Sequence, residues 1–239
     1  LDFGNGNILK DSIQLNFSRD LTDSDIYTKE INVMKYIFKK NNSLMKIIDI
    51  MSASNGDKFK IVVDFSNKKF ENIKIVYTIS PSGEVLIESE VIPKQSIKKF
   101  GIKFKLLSSY NNIKYFGKGP KENYDDRKEG AKTGIYEMKV EDLNYNYTRS
   151  QENGNRTEVR WVSLNNDENQ GILVEAASSN LINFKAQPDA KENLDYINLH
   201  VDYKQSGLGG DYRLKEPLDK KYRINTGEKH YYSFIIKRL

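Results

Sequence analysis

Cysteine is absent from the 239 residues. Disulfide staples, thiolate nucleophiles and thiolate-bound zinc are therefore excluded. The absence says nothing about compartment, because a chain of this length can bury enough surface to fold without a staple. Proline is scarce, with 5 scattered residues, and no linker or low-complexity tract interrupts the chain. Long apolar runs are missing too. None is long enough to cross a bilayer as a helix, and no charged-then-apolar leader opens the sequence. The first residue is Leu1 rather than methionine, which leads us to expect a fragment of a longer polypeptide. Charge of one sign is lacking as well: 38 Lys and Arg face 33 Asp and Glu, for a net +5. Pairs such as Lys39-Lys40, Lys68-Lys69, Lys98-Lys99 and Lys220-Lys221 are mixed with acids. That is the pattern of solvated strand ends rather than a nucleic-acid surface. Neither nucleic acid nor a membrane is expected as a partner.

What the chain does have is apolar and aromatic residues spaced for strands. Hydrophobic residues make up 38%, including 15 Tyr and 11 Phe. In Ile73-Lys74-Ile75-Val76-Tyr77-Thr78-Ile79 the odd positions are apolar, and side chains two apart share one face of a strand. Val85, Ile87 and Val91 repeat the pattern after the turn-forming Ser80-Pro81-Ser82-Gly83, which predicts a β-hairpin. Similar runs occupy 31–38, 44–53, 58–65, 100–107, 157–164, 171–176, 196–203 and 229–237. Their Tyr, Ile, Val, Phe and Thr suit a pleated, half-buried surface. Helix is a rival only over 31–50. The expected fold is all-β, a large antiparallel sandwich formed by one domain over 1–239. A split near Ser109–Asn112 is the weaker alternative.

Four segments break the strand pattern. Tyr115–Ala131 carries Gly117-Lys118-Gly119-Pro120 and then Glu122, Asp125 and Asp126, which could build a sugar or metal site. The plainer expectation is an ordered loop whose carboxylates bind Arg127, nearby lysines and backbone N–H groups. Ser150–Trp161 contains the turn signal Asn153-Gly154, feeding one strand that alternates Thr157, Val159 and Trp161. Trp161 is the single tryptophan, and its expected place is the core. Gln205–Asp211 has three glycines in four positions but no following helix pattern, so a phosphate cradle is not expected. Asn16–Asp25 holds Asp23 and Asp25, without the rest of a calcium loop.

These four segments, in this order, resemble the C-terminal, small-chain domain of glycoside hydrolase family 2 β-galactosidases. The family's Gly-x-Gly-Pro-x-Glu-Asn-Tyr-x-Asp-Arg loop is matched at 117–127. Its Glu-Asn-Gly-x-Arg turn, leading to Arg-Trp, is matched from Glu152 to Trp161. Its Gly-x-Gly-Gly-Asp is matched at 207–211. Its Asn-Phe-x-Arg-Ala-Pro-x-Asp-Asn-Asp loop is partly matched at 16–25.

The resemblance implies a sandwich similar to galactose mutarotase. It also implies a domain that is not itself catalytic. A retaining glycosidase needs two carboxylates flanking the bond, and in this family both lie on a preceding (β/α)₈ barrel. Glu122 and Glu152 match non-catalytic positions. The barrel of the same polypeptide is then the expected partner, with a carbohydrate as substrate, a homo-oligomer as one arrangement and the cytoplasm as the location. The family's enzymes often use Mg and Na; no cofactor is expected in this chain. Two loops would wall the active site. One runs from Arg19 through Asp23, Ser24 and Asp25. The other contains Asp211, Tyr212, Arg213 and Leu214, where Leu214 stands in place of the family's platform tryptophan. A stand-alone carbohydrate-binding domain and an aldose mutarotase are the alternative functions. The second would need His200 or His230 as its acid or base.

Overall fold

The structure is a computed structural model that describes residues 8–10, 13–27, 45–177, 179–189, 195–209 and 218–239. In chain order its elements begin with β1 (Gln14–Asn16), the one-turn helix α1 (Asp23–Tyr27), β2 (Lys46–Asn55) and β3 (Lys58–Ser66). Next come β4 (Phe70–Ile79), β5 (Val85–Pro93), β6 (Lys99–Leu107), β7 (Asn112–Gly119) and β8 (Lys132–Lys139). The last are β9 (Arg156–Val159), β10 (Trp161–Asn165), β11 (Gly171–Ala176), β12 (Ile182–Pro188), β13 (Tyr196–Gln205) and β14 (His230–Arg238). The expected strand run over 31–38 lies outside the described residues. No described helix is long and apolar enough to cross a membrane.

Alternation becomes two stacked sheets. A nine-stranded sheet runs β2-β3-β4-β5-β14-β11-β10-β7-β8, and a five-stranded sheet runs β1-β6-β13-β12-β9. Every strand pairing among the described residues is antiparallel. The predicted hairpin is β4–β5, with Ile73 opposite Val91 and Tyr77 opposite Ile87. Ile73, Ile75, Ile87 and Val91 point inward from the larger sheet, and Phe100, Ile102, Phe104, Leu199 and Val201 from the smaller one, in one buried cluster. Edge-to-face contacts join the two layers, Phe104 with Phe234 and Phe100 with Tyr232. Such geometry suits the ring quadrupoles. The Tyr232 hydroxyl donates to Val201 O at 3.0 Å, so it is satisfied inside the core.

The run expected as one strand over 157–164 is two strands. β9 belongs to the small sheet and β10 to the large one. Glu158, with φ of 53°, sits just before the crossing in a left-handed conformation that non-glycine residues rarely adopt. Arg160 N then bonds Phe116 O on β7. The apolar parity shifts here, from Thr157 and Val159 to Val162 and Leu164, a break that a reading of 157–164 as one alternating strand passes over. Trp161 is also corrected. It is half-buried and lies outside the hydrophobic cluster, because the crossing turns its face away from the interior. Ser109–Asn112, the weaker domain break, belongs to the connection from β6 in one sheet to β7 in the other.

The larger sheet overhangs the smaller one at β2–β3. Ile48 is 64% and Ile50 58% exposed there, whereas Ile87 is fully buried. Ile87→Ala should therefore cost about 2–5 kcal/mol of folding stability through lost burial and a cavity. Ile48→Lys should change it by less than about 0.5 kcal/mol. Urea denaturation midpoints of the two variants check this ordering.

Candidate functional site

Loops at one end of the sandwich are tied together by buried polar groups. The strand β7 ends at a cis Gly119–Pro120 bond, and the chain then doubles back over β9. Asn123, 1% exposed, organises this turn. Its Nδ2 donates to Lys118 O and Lys121 O, both at 3.0 Å. Its Oδ1 accepts from Thr157 N at 2.9 Å and Thr157 Oγ1 at 2.6 Å. Glu122 accepts from Gly154 N at 2.7 Å, from the Tyr124 hydroxyl at 3.3 Å and from the Tyr147 hydroxyl. Burial and then the Glu152 and Glu122 carboxylates push the Tyr124 hydroxyl well above its ordinary value, so it stays protonated as a donor. The buried Arg156 guanidinium donates to the carbonyls of Gly154, Asn155 and Leu143 and to the Tyr115 hydroxyl.

The plain expectation for this motif thus holds for the lysine and backbone partners of its carboxylates. Asp125 meets Lys128 at 3.2 Å and Lys204 at 3.5 Å. Asp126 accepts from Gly209 N at 2.8 Å. Arg127 donates to Gly209 O. Gly207 allows this contact, since a Cβ there would stand 2.5 Å from Asp126 Cγ. The glycine run is a docking surface for the 122–128 loop, and the carboxylates hold protein groups.

The Arg19–Asp25 loop packs onto the same end. Arg19 and Asp25 form a buried ion pair at 3.0 Å, and Lys98 reaches Asp25 at 3.0 Å. Thr22 N and Oγ1 donate to Asp25 Oδ2, and Asp25 N returns a bond to Thr22 Oγ1. This is a capping box opening α1. Its Thr-x-x-Asp spacing was legible in the sequence and was overlooked. Burial raises the Asp25 carboxyl, but Arg19, Lys98 and Thr22 outweigh it and leave it below its ordinary value. Asp23 is more exposed and pairs with Arg149 at 2.9 Å, while Ser24 Oγ lies against Gly209. Asp23 and Asp25 are therefore spent on different partners. Among the described residues no three His, Asp or Glu side chains are grouped to hold a metal ion.

The first expected wall loop meets the glycine run that precedes the second. Arg19 donates to Gly207 O at 3.2 Å. Asp211, Tyr212, Arg213 and Leu214 lie outside the described residues. Sequence reasoning did not foresee Lys98, Lys99, Lys185 or Asp202 beside this site. Strand alternation puts Lys99, Lys185 and Asp202 on the polar face of the small sheet, with Lys98 just ahead of β6, yet nothing local shows that loops cover that face. There Lys99 and Asp202, both essentially fully buried, pair at 2.8 Å. Gly101 makes the room, because a Cβ would come within 1.8 Å of Asp202 Oδ1. Asn16 Nδ2 and Lys99 Nζ lie 2.8 and 3.2 Å from His200 Nδ1, where they compete for its one lone pair. His230 Nε2 contacts Asn225 O at 2.8 Å. A separate cleft of ≈ 660 Å³, lined by residues such as Asn112, Lys139 and Asn166, shares no residue with these loops.

A family model described as the beta galactosidase small chain matches residues 1–236. The chain belongs to that family. The beta-galactosidase of Priestia megaterium is 26% identical over 97% of this chain and 24% of its own length. That of Halalkalibacterium halodurans is 31% identical over 70% of this chain and 18% of its own length. This small chain therefore spans about a quarter or less of the curated relatives it matches. Among solved structures, galactose 1-epimerase from Lactobacillus acidophilus is similar at 8% identity and a TM-score of 0.48, over 80% of this chain and 66% of the other.

Two measurements probe this small chain's network. Asn123→Ala strands Thr157 N and two carbonyls, and should cost about 3 kcal/mol or more in denaturant titrations. Burial first, opposed by Lys99, pushes the Asp202 carboxyl up to about 6. A carboxyl raised in the folded state favours folding most at low pH, and that contribution is lost as pH rises through the folded value. Relative to Asp202→Asn, the native chain should thus lose on the order of 2–3 kcal/mol between about pH 4 and pH 7. Urea midpoints of both proteins across that range give the difference.

Proposed function

We propose that this chain is the non-catalytic C-terminal domain of a β-galactosidase, and that its parent polypeptide hydrolyses terminal β-galactosides. Its task is to scaffold and wall the active site of a preceding (β/α)₈ barrel. The observation that carries this reading is the Arg19 bond to Gly207 O. It draws the roots of the two motif loops to one end of the sandwich, where a single neighbouring domain could use both. Rigid loops projecting from a packed scaffold suit such a wall.

Within the chain, Glu122 and Glu152 are committed to backbone and lysine partners. Neither is arranged as an acid facing a nucleophile across a sugar bond. Mutarotase chemistry would need an available imidazole. His200 Nδ1 is engaged by Asn16 and Lys99, and His230 Nε2 by a backbone carbonyl.

The parent polypeptide should hydrolyse a chromogenic β-galactoside, whereas this chain alone should neither hydrolyse it nor speed galactose mutarotation in a polarimeter. Hydrolysis by the chain alone would overturn the reading. Mutarotation, or tight calorimetric binding of lactose by the chain alone, would favour the mutarotase or stand-alone binding function instead.

A further inference from the structure

We infer that Glu152 is a positioning residue for the Arg19–Asp25 loop, fixing that loop against the small sheet so that it can contact a galactoside. This rests on the wall reading above. Glu152 sits in the turn before β9, and Lys185 projects from β12 on the polar face of the small sheet. Their side chains are 2% and 3% exposed, and Glu152 Oε1 meets Lys185 Nζ at 3.1 Å. The other oxygen, Oε2, accepts from Asp20 N at 3.0 Å. One carboxylate therefore links a strand lysine to the backbone of the loop.

Net stability does not account for this arrangement. Removing two charges from water costs about as much as their attraction returns, and a well-packed apolar pair is often as stable. What an apolar pair cannot supply is an acceptor for Asp20 N. The ammonium of Lys185 orients the carboxylate, and the carboxylate sets the height of residue 20 above the sheet. Arg19 and Asp25 add anchors on either side, to Gly207 O and Lys98. Release at Asp20 would remove this tie between the loop and the small sheet while those at Arg19 and Asp25 remain. The loop would then contact substrate poorly without disturbing the groups that cleave the bond.

The test compares two charge-free double variants of the parent polypeptide. Glu152→Gln with Lys185→Met keeps a carbonyl oxygen for Asp20 N. Glu152→Leu with Lys185→Met removes it. On o-nitrophenyl β-galactoside the Leu-bearing variant should raise KM at least about fivefold, with kcat within about twofold. The Gln-bearing variant should recover most of that affinity. Hydrogen exchange over residues 19–25 should be faster by tenfold or more in the Leu-bearing variant alone. Should a double variant fail to fold, Glu152→Asp keeps the charge paired with Lys185 but shortens the reach to Asp20, and should raise both KM and loop exchange. Equal exchange in the two double variants, or an unchanged loop in Glu152→Asp, would overturn the positioning role itself. Altered exchange with an unchanged KM would instead overturn the wall reading and, with it, any role of Glu152 in substrate binding.

Discussion

Burial of one apolar face from each of two unequal sheets is the constraint on which the rest of this structure depends. Neither sheet could hide its inward residues alone. Phe100 and Phe104 from the small sheet meet Tyr232 and Phe234 from the large one, and the contacts fix how the layers sit. Once they are fixed, the chain can cross from one sheet to the other only at the sandwich ends. The motif loops gather at one of these ends.

At that end, polar groups rather than apolar ones set the geometry. Asn123 uses its donors and acceptor on four protein groups, and Arg156 neutralises several carbonyl ends. A buried amide or guanidinium is costly unless satisfied, so each such residue admits few loop conformations. The same logic runs through Asp25, Glu152 and Asp126, each of which ties a loop to something more rigid. Loops held in this way would lose little conformational entropy on binding a partner. The overhanging β2–β3 pair is the contrast. The isoleucines of β2 are exposed, and their exposure leaves that strand with little influence on the core.

Much of the fold was legible before the structure. Odd-even alternation placed β4 and β5 and their pairing, because period two is a local property of a strand. The motif between Gly117 and Arg127 was readable both as family resemblance and as an ordered carboxylate loop. Other features were readable only in part. Thr22 and Asp25 announce a capping box in sequence, but the partners that hold Asp25 down, Arg19 and Lys98, arrive from different elements. Arg127 was readable as part of the motif, but its bond to Gly209 O, 82 residues away, was not.

The sequence by itself determined the strand periodicity, the turn residues, the absence of a thiol site and the family to which the motifs belong. All of these are written in residue types at short spacing. Only the tertiary structure decided that the chain changes sheets between Val159 and Trp161, and that the tryptophan stands outside the core. Only it paired Lys99 with Asp202 and joined Lys185 through Glu152 to Asp20. Those outcomes depend on which distant segments share a face and which loops exclude water from it. Alternation specifies the two faces of a strand but not what will cover them.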